Sequence, residues 1–290
     1  MANSKFAQYL LNRGIFTPEE AGSLLKKSSV TVPKISVMAL EKGLLDAQQA
    51  EKLLRVQDFM VEALDDDCLT ALQLDELKKT VPNHRTCLGQ VLLDEGLVDL
   101  PLLAKLFEES KQESCHPVDE VVNSMLAEKN ADIEEYAYIC DYVQLFVRAM
   151  NRFVDTDALL VRDDSVDLVD STYLVYQNMG GTKKLTVGCR MTGKELLDMA
   201  SIFSGEQQTE VNEMALDCIE EFCNVVNGHY IVNMSAKKQD MDLDMPHTVE
   251  NAVPMGDNVF SLRIETEFGA LMLYISEDGF VLNEKNYFGW

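Results

Sequence analysis

The sequence is short of positive charge: its 290 residues include 25 Lys and Arg against 49 Asp and Glu, a formal net charge of −24. Affinity for nucleic acid and for anionic membrane surfaces comes largely from Lys and Arg that meet phosphate, so this balance argues against both kinds of partner. No run approaches the roughly 20 apolar residues that a membrane span needs. We therefore expect a soluble, cytoplasmic protein, for which a basic or metal-bearing protein partner remains compatible.

Histidine and paired cysteine are also scarce. The four His are dispersed, and the seven Cys are scattered without a Cys-x2-Cys pair. A disulfide framework or a zinc site would need closer and more regular spacing, so we expect reduced thiols. The segment 240–244 has three Asp at alternate positions but lacks the Gly and the terminal Glu of a calcium-binding loop. These residues predict neither a metal site nor an intrinsic cofactor.

The length of the chain is typical of about two domains. The pattern predicts an all-α helical-repeat domain over 1–112, a linker with a short helix over 113–132, and an α+β domain over 133–290. The last domain should open with an amphipathic helix, since apolar residues recur there with a helical period. Short β-prone runs at 166–170, 173–179 and 184–189 follow, then two further helices, and near the end a hairpin of strands at 261–267 and 269–275.

A degenerate repeat occupies the first 112 residues. Copies at 9–16, 38–45 and 91–98 each place a Gly after an apolar stretch and two polar residues, and a second amphipathic stretch follows. Glycine at the end of one short helix and a polar cap at the start of the next predict stacked helix–turn–helix units. These units resemble the N-terminal helical domain of type II secretion and type IV pilus assembly ATPases.

Some members of that ATPase family bind cyclic di-GMP through an Arg-Leu-Gly-x2-Leu type of motif. The best match here contains Leu88 and Gly89, is followed by Gly96, and has Arg85 nearby as a cation. The resemblance therefore implies a ligand-binding site at these four residues. The alternative is an interaction or scaffolding domain that binds a secretion or pilus component without a nucleotide.

The segment of greatest functional interest runs from Asp217 to Gly228. On a helix at about 100° per residue, Asp217, Glu221, Asn224 and Gly228 fall within an arc of roughly 60°. We call these four residues the front face. The opposite face is apolar and is predicted to pack into a core; it comprises Ala215, Ile219, Phe222 and Val226. Gly228 is expected to end the helix, and His229–Met234 to form a strand.

Residue chemistry alone leaves two interpretations of the front face. It is either a solvated stripe of an amphipathic helix or a functional face. Glu221 can anchor a cation, and Asn224, one turn away, can hold a water molecule. Asn is also a poor choice for the middle of an exposed helix, where Lys, Glu or Gln would cost less.

The spacing of the front face, Asp-x3-Glu-x2-Asn-x3-Gly, resembles the signature of the chemotaxis phosphatase family, which includes CheX and CheC. Two other segments are similar to that family. Residues 185–193 match the strand before its first long helix, and residues 245–249 match its Pro-Thr-Val loop. The resemblance implies an α+β, CheX/CheC-like domain with an antiparallel sheet packed against two long helices.

The same resemblance implies a phosphatase that hydrolyses the phospho-aspartate of a CheY-type response regulator in chemotaxis or a related two-component pathway. Asn224 would position the attacking water and Glu221 would dock on the regulator's active-site Lys, with Asp217 and Gly228 as supports. The phosphorylated regulator would carry the Mg²⁺. Because the complete Asp-x3-Glu-x2-Asn-x3-Gly spacing occurs once, and the opening helix of the last domain has no second Glu-x2-Asn, the likeness is to the one-site CheX type, and a homodimer is expected.

The alternative from another class is a non-catalytic signalling scaffold. Its C-terminal domain would bind a response regulator, and cyclic di-GMP at the N-terminal domain would tune it. Asn224 separates the two hypotheses, because its loss should abolish hydrolysis and leave binding intact only if the protein is an enzyme.

Overall fold

The computed structural model describes residues 2–55, 63–64, 68–80, 88–128, 136–162, 172–256 and 258–284. The chain divides into two compact units, one formed by Ala2–Pro117 and the other beginning at Val118. In the described residues the first unit contains helices, whereas the second combines helices with antiparallel strands.

The first unit includes the helices α1 (Ala2–Asn12), α2 (Pro18–Val30), α3 (Ile35–Glu41), α4 (Ala47–Leu54), α5 (Ala71–Thr80), α6 (Leu88–Asp94) and α7 (Leu100–Gln112). Local sequence determines several of their ends. A capping box that joins Thr17 and Glu20 begins α2. The repeat glycines Gly14, Gly43 and Gly96 have φ of 68°, 72° and 69° just after α1, α3 and α6, so each helix stops at a left-handed residue.

The second unit has four helices among its described residues: α8 (Pro117–Glu128), α9 (Ala137–Phe153), α10 (Gly193–Ser204) and α11 (Glu213–Ala236). The sequence predicts a linker with a short helix over 113–132, and α8 lies inside that range, with its apolar side in the core of this unit. Its buried residues are Val118, Val121, Val122, Met125 and Leu126, and they share one cluster with α9 and α11. Their spacing is that of an amphipathic helix, which is stable only when its apolar face is covered.

The strands of the second unit are β1 (Leu159–Val161), β2 (Thr172–Gly181), β3 (Leu185–Thr192), β4 (Met241–Leu243), β5 (His247–Glu250), β6 (Ala252–Met255), β7 (Phe260–Thr266), β8 (Gly269–Ser276) and β9 (Val281–Glu284). Seven of the described strands form one sheet in the order β1-β7-β8-β3-β2-β4, with β5 also paired to β2. All of their pairings are antiparallel. β6 and β9 pair separately. The predicted mixture of helices and antiparallel sheet is therefore present, while a β-prone run predicted at 166–170 lies outside the described residues.

Helix α11 corrects one prediction from the sequence. Gly228 does not end it, and 229–234 is not a strand: the helix continues to Ala236. Tyr230 and Met234 follow Val226 at intervals of four residues and are 1% and 3% exposed. They extend the apolar stripe of the helix, and this tertiary burial outweighs the β propensity of the segment.

The apolar back of α11 lies in the core as predicted, since Ala215, Ile219, Phe222 and Val226 are all fully buried. The Phe222 ring packs edge-on against Phe146 of α9 and Phe203 of α10, with ring centroids 5.9 and 5.8 Å apart. Burying a side chain of this size contributes about 1.5–3 kcal/mol. This packing fixes the rotation of α11 and turns its opposite side to solvent.

Candidate functional site

The structure places the four front-face residues on one accessible side of α11. Asp217 and Glu221 are exposed, while Asn224 and Gly228 are half-buried. Asn224 Nδ2 donates a long hydrogen bond of 3.4 Å to Glu221 Oε2. A carboxylate and a primary amide are thus held side by side, where a partner protein can reach both.

Because Gly228 has no side chain, none projects from the surface beside Asn224 at this position. A Cβ atom added at this position would meet no heavy atom within 4 Å, so no internal contact of the second unit requires glycine there. It also lacks the positive φ that is expected of a glycine at a helix end. What its missing side chain provides is room for an approaching surface, one turn beyond the amide.

Two segments that are distant in sequence contact α11. Gln177 on β2 donates through Nε2 to Asn224 Oδ1 at 3.0 Å and to the backbone carbonyl of Asp244 at 2.8 Å. Thr248 on β5 donates through Oγ1 to Glu220 Oε1 at 2.5 Å. The segment 245–249, singled out for its Pro-Thr-Val pattern, therefore lies beside the front face.

Behind Asn224 the hydrogen bonds continue into the core. Asn227 Nδ2 donates to Gln177 Oε1 at 2.7 Å, and the Tyr142 hydroxyl donates to Asn227 Oδ1 at 2.6 Å. Gln177, Asn227 and Tyr142 are only 0%, 1% and 2% exposed. Burial raises the pKa of Tyr142 well above its usual value, so its hydroxyl remains protonated and able to donate.

The amino-acid sequence alone did not indicate a role at the site for Gln177, Asn227 or Tyr142. One signal was available: Asn227 is a polar residue in the arc of α11 that is otherwise buried, between Cys223 and Tyr230. A buried amide needs hydrogen-bond partners, which points to a polar neighbour across the core. Nothing in the sequence identifies that neighbour as Gln177, which is 50 residues away.

The cysteine next to Asn224 does not supply a nucleophile. Cys223 is 8% exposed, and burial, with a smaller effect from the Glu220 carboxylate, raises its pKa to about 12. Because the thiolate is the reactive form, this thiol is inert near neutral pH. The chemistry available at the front face is that of a carboxylate, an amide and whatever a partner brings.

Of the candidate ligand residues in the first unit, Arg85 lies outside the described residues. Leu88 and Gly89 are buried in α6. A Cβ atom on Gly89 would lie 2.9 Å from Phe107 Cζ of α7, so this glycine permits close helix packing. Gly96 ends α6 in the left-handed region. The three described residues thus have packing or conformational roles, and a nucleotide site there stays a prediction.

The described residues contain no group of three or more His, Cys, Asp or Glu side chains arranged to hold a metal ion. None of the described helices is both long and apolar enough to cross a membrane.

Several solved chemotaxis proteins resemble the C-terminal half of the chain. CheX from Desulfovibrio desulfuricans is 11% identical with a TM-score of 0.40, and the match covers 49% of this chain and 96% of that one. CheX from Vibrio vulnificus is 14% identical (TM-score 0.41; 48% and 95% covered). The CheX–CheY–BeF₃–Mg²⁺ complex from Borrelia burgdorferi is 12% identical (TM-score 0.38; 48% and 96% covered). No family model matches the sequence, and no curated protein does.

Proposed function

We propose that the protein hydrolyses the phospho-aspartate of a CheY-type response regulator. The observation that carries the proposal is the pairing, on an accessible helix face, of the Glu221 carboxylate with the Asn224 amide, held from behind by Gln177. The resemblance of the front-face spacing to the chemotaxis phosphatase signature supports the same reaction. An acyl phosphate is already labile, so a positioned water is the main requirement for faster hydrolysis.

Each front-face residue has one role in this proposal. Asn224 holds a water molecule in line with the bond between phosphorus and the aspartyl oxygen. The water oxygen bonds to phosphorus, the bond to the aspartyl oxygen breaks, and inorganic phosphate leaves while the regulator regains its carboxylate. Glu221 pairs with the regulator's active-site Lys. The regulator's Mg²⁺ neutralises the charge that develops on the phosphoryl oxygens.

The charge and shape of the surface support docking of a protein with a positive site. Asp217 lies exposed one turn before Glu221, in a chain whose net charge is −24, so a partner's Lys meets complementary charge. Met245, next to Asp244, is 78% exposed and offers an apolar contact at the same place. Gly228 keeps the approach open.

Two further parts of the proposal concern assembly. We infer a homodimer from the single copy of the complete Asp-x3-Glu-x2-Asn-x3-Gly spacing, which resembles the one-site CheX type. The first unit would bind a secretion or pilus component, as its repeat resembles the N-terminal domain of the assembly ATPases. Light scattering checks the first part, since a monomeric mass at micromolar concentration would contradict it. A binding assay with such a component checks the second.

The decisive experiment follows the decay of a phosphorylated CheY-type regulator with wild-type protein and with Glu221→Ala and Asn224→Ala. We expect wild type to accelerate the decay and both variants to return it to the regulator's intrinsic rate. The matched control is Asn233→Ala, the same chemical change on an exposed residue of α11 that lies about 180° around the helix from Asn224. The control should retain full activity.

Binding to the beryllofluoride-treated regulator, a stable analogue of the phosphorylated form, is measured in parallel. Retention of binding by Asn224→Ala together with lost hydrolysis would support the proposed role of the amide. Binding by wild type without any acceleration, across a panel of regulators, would instead support the non-catalytic scaffold.

A further inference from the structure

We infer that Gln177 and Asn227 are positioning residues, which fix the end of the Asn224 amide that faces a partner. The chain of hydrogen bonds from Tyr142 through Asn227 and Gln177 to Asn224 carries this inference. Its consequence for hydrolysis rests on the proposed function, whereas the orientation of the amide can be measured on the protein alone.

One backbone carbonyl determines the donor-to-acceptor direction of every hydrogen bond from Tyr142 to Asn224. The Asp244 carbonyl can only accept a hydrogen bond, so Gln177 must turn its Nε2 group toward it. Gln177 Oε1 then faces Asn227, and only the Nδ2 group of the Asn227 side chain can donate a hydrogen bond to it. Asn227 Oδ1 is left for the Tyr142 hydroxyl, which donates. Every bond in the core agrees with this one direction.

The same logic fixes Asn224. Gln177 Nε2 is a donor at 3.0 Å, so Asn224 must present Oδ1 to it and turn Nδ2 outward. Rotating the amide by 180° would bring two donors together beside residues that are almost fully buried. Such a mismatch is strongly disfavoured where water cannot compensate. The amide is therefore preorganised before any partner arrives.

The outward group is an N–H donor. Its hydrogen bond to Glu221 Oε2 is long, at 3.4 Å, and is the one bond that Nδ2 donates among the described residues. A donor at this place binds an oxygen atom, either one lone pair of the attacking water or a phosphoryl oxygen. When a partner's Lys forms an ion pair with Glu221, the amide hydrogens of Asn224 become available to donate to that oxygen.

If these hydrogen bonds had a purely structural role, a different result would be expected. If Gln177 only pinned α11 to the sheet, its loss would lower stability but leave the folded protein's turnover unchanged. If it positions Asn224, its loss must change the amide group itself. Nuclear magnetic resonance of the Asn224 side-chain ¹⁵N–H₂ group, assigned by its absence in Asn224→Ala, measures this directly.

The experiment compares Gln177→Met, which keeps the length of the side chain but removes its hydrogen bonds, with Thr186→Val as the control. Thr186 is 6% exposed and donates to Asn178 at 2.8 Å in the same strand pair, outside the chain that reaches Asn224. Gln177→Met should lower the ¹⁵N order of the Asn224 amide and move its signals. Thr186→Val should do neither.

A second variant covers the case in which Gln177→Met fails to fold. Gln177→Glu retains the shape and the acceptor toward Asn227, and its carboxylate offers no N–H to Asn224. It should likewise loosen or rotate the Asn224 amide. Unchanged order and unchanged chemical shifts in a folded Gln177 variant would overturn the inference.

Turnover gives the matching kinetic readout. We expect kcat for regulator dephosphorylation to fall by about a hundredfold in the Gln177 variants with KM nearly unchanged, because a misplaced group of this kind costs about that much. If wild type has no activity, the proposed function fails, while the resonance data still decide the inference. If wild type is active and the Gln177 variants turn over equally fast, the inference alone fails.

Discussion

Two short motifs in this chain invite a functional interpretation, and the structure treats their residues differently. In the first unit, Leu88 and Gly89 are buried, and Gly89 faces Phe107 across a helix contact. In the second unit, Glu221 and Asn224 lie at the surface, and Asn224 is tied to a buried hydrogen-bond chain. A functional group needs both properties: access for a partner, and buried neighbours that hold it in place.

The two motif glycines show the same contrast. A Cβ on Gly89 would lie 2.9 Å from Phe107 Cζ, whereas one on Gly228 would meet nothing within 4 Å. A larger residue at Gly89 would therefore force Phe107 to shift, whereas Gly228 is dispensable to its own fold. A glycine that the fold does not need suggests a requirement from outside the chain.

The largest expected effect is a fall of the unfolding free energy at high pH, caused by the buried Cys223 thiol. Burial raises the pKa of Cys223 to about 12 from its usual value near 9. Below pH 9 this thiol is protonated in both folded and unfolded chains. Above pH 9 only the unfolded thiol ionises, so the unfolding free energy should fall between pH 9 and about 12, by up to about 1.4 kcal/mol per pH unit.

Urea unfolding across that pH range measures the effect, and Cys223→Ala should make the decline shallower. Alkylation offers an independent check. Exposed Cys115 should react with iodoacetamide at pH 8, and Cys223 should not. Equal labelling of the two thiols in the folded protein would contradict the burial of Cys223.

A pair of glycine substitutions tests the contrast itself. Gly89→Leu should destabilise the first unit by about 1–3 kcal/mol, because the larger side chain overpacks against Phe107. Gly228→Leu should cost the second unit no comparable amount. Urea unfolding with peptide-level hydrogen exchange assigns each change to its unit, and an equally large loss from Gly228→Leu would refute the proposed difference.

Gly228→Ala should have a smaller effect of opposite sign on stability. Gly in the interior of a helix is about 0.5–1 kcal/mol less favourable than Ala, so this variant should be more stable than wild type. A bulky residue is expected to obstruct docking, so Gly228→Phe should weaken regulator binding while the protein remains folded. Unimpaired binding by Gly228→Phe would remove the proposed reason for this glycine.

The smallest expected signal is that of cyclic di-GMP. With Leu88 and Gly89 engaged in helix packing, a purely structural role for this motif predicts no heat in a calorimetric titration and no shift in Tm with this dinucleotide, whereas the predicted nucleotide site requires saturable heat. Saturable heat that is lost in Arg85→Ala would show that the first motif binds a ligand after all. The contrast between the two motifs would then have to be abandoned.

Much of the second unit follows from local spacing. The buried back of α11, the four front-face residues and the β7–β8 hairpin could be predicted, because period and turn signals lie within a few residues of each other. The end of α11 could not. Gly228 is a plausible helix terminator in isolation, and only the burial of Tyr230 and Met234 continues the helix past it.

The sequence by itself determined that Glu221 and Asn224 share one face, since a Glu and an Asn at this spacing do so on any helix. Only the tertiary structure decided how they are held. Gln177 reaches Asn224 and Asn227 across 47 and 50 residues, and Tyr142 reaches Asn227 across 85. Hydrogen bonds of this kind depend on how the sheet and helices pack, so they cannot be predicted from the local spacing of residues.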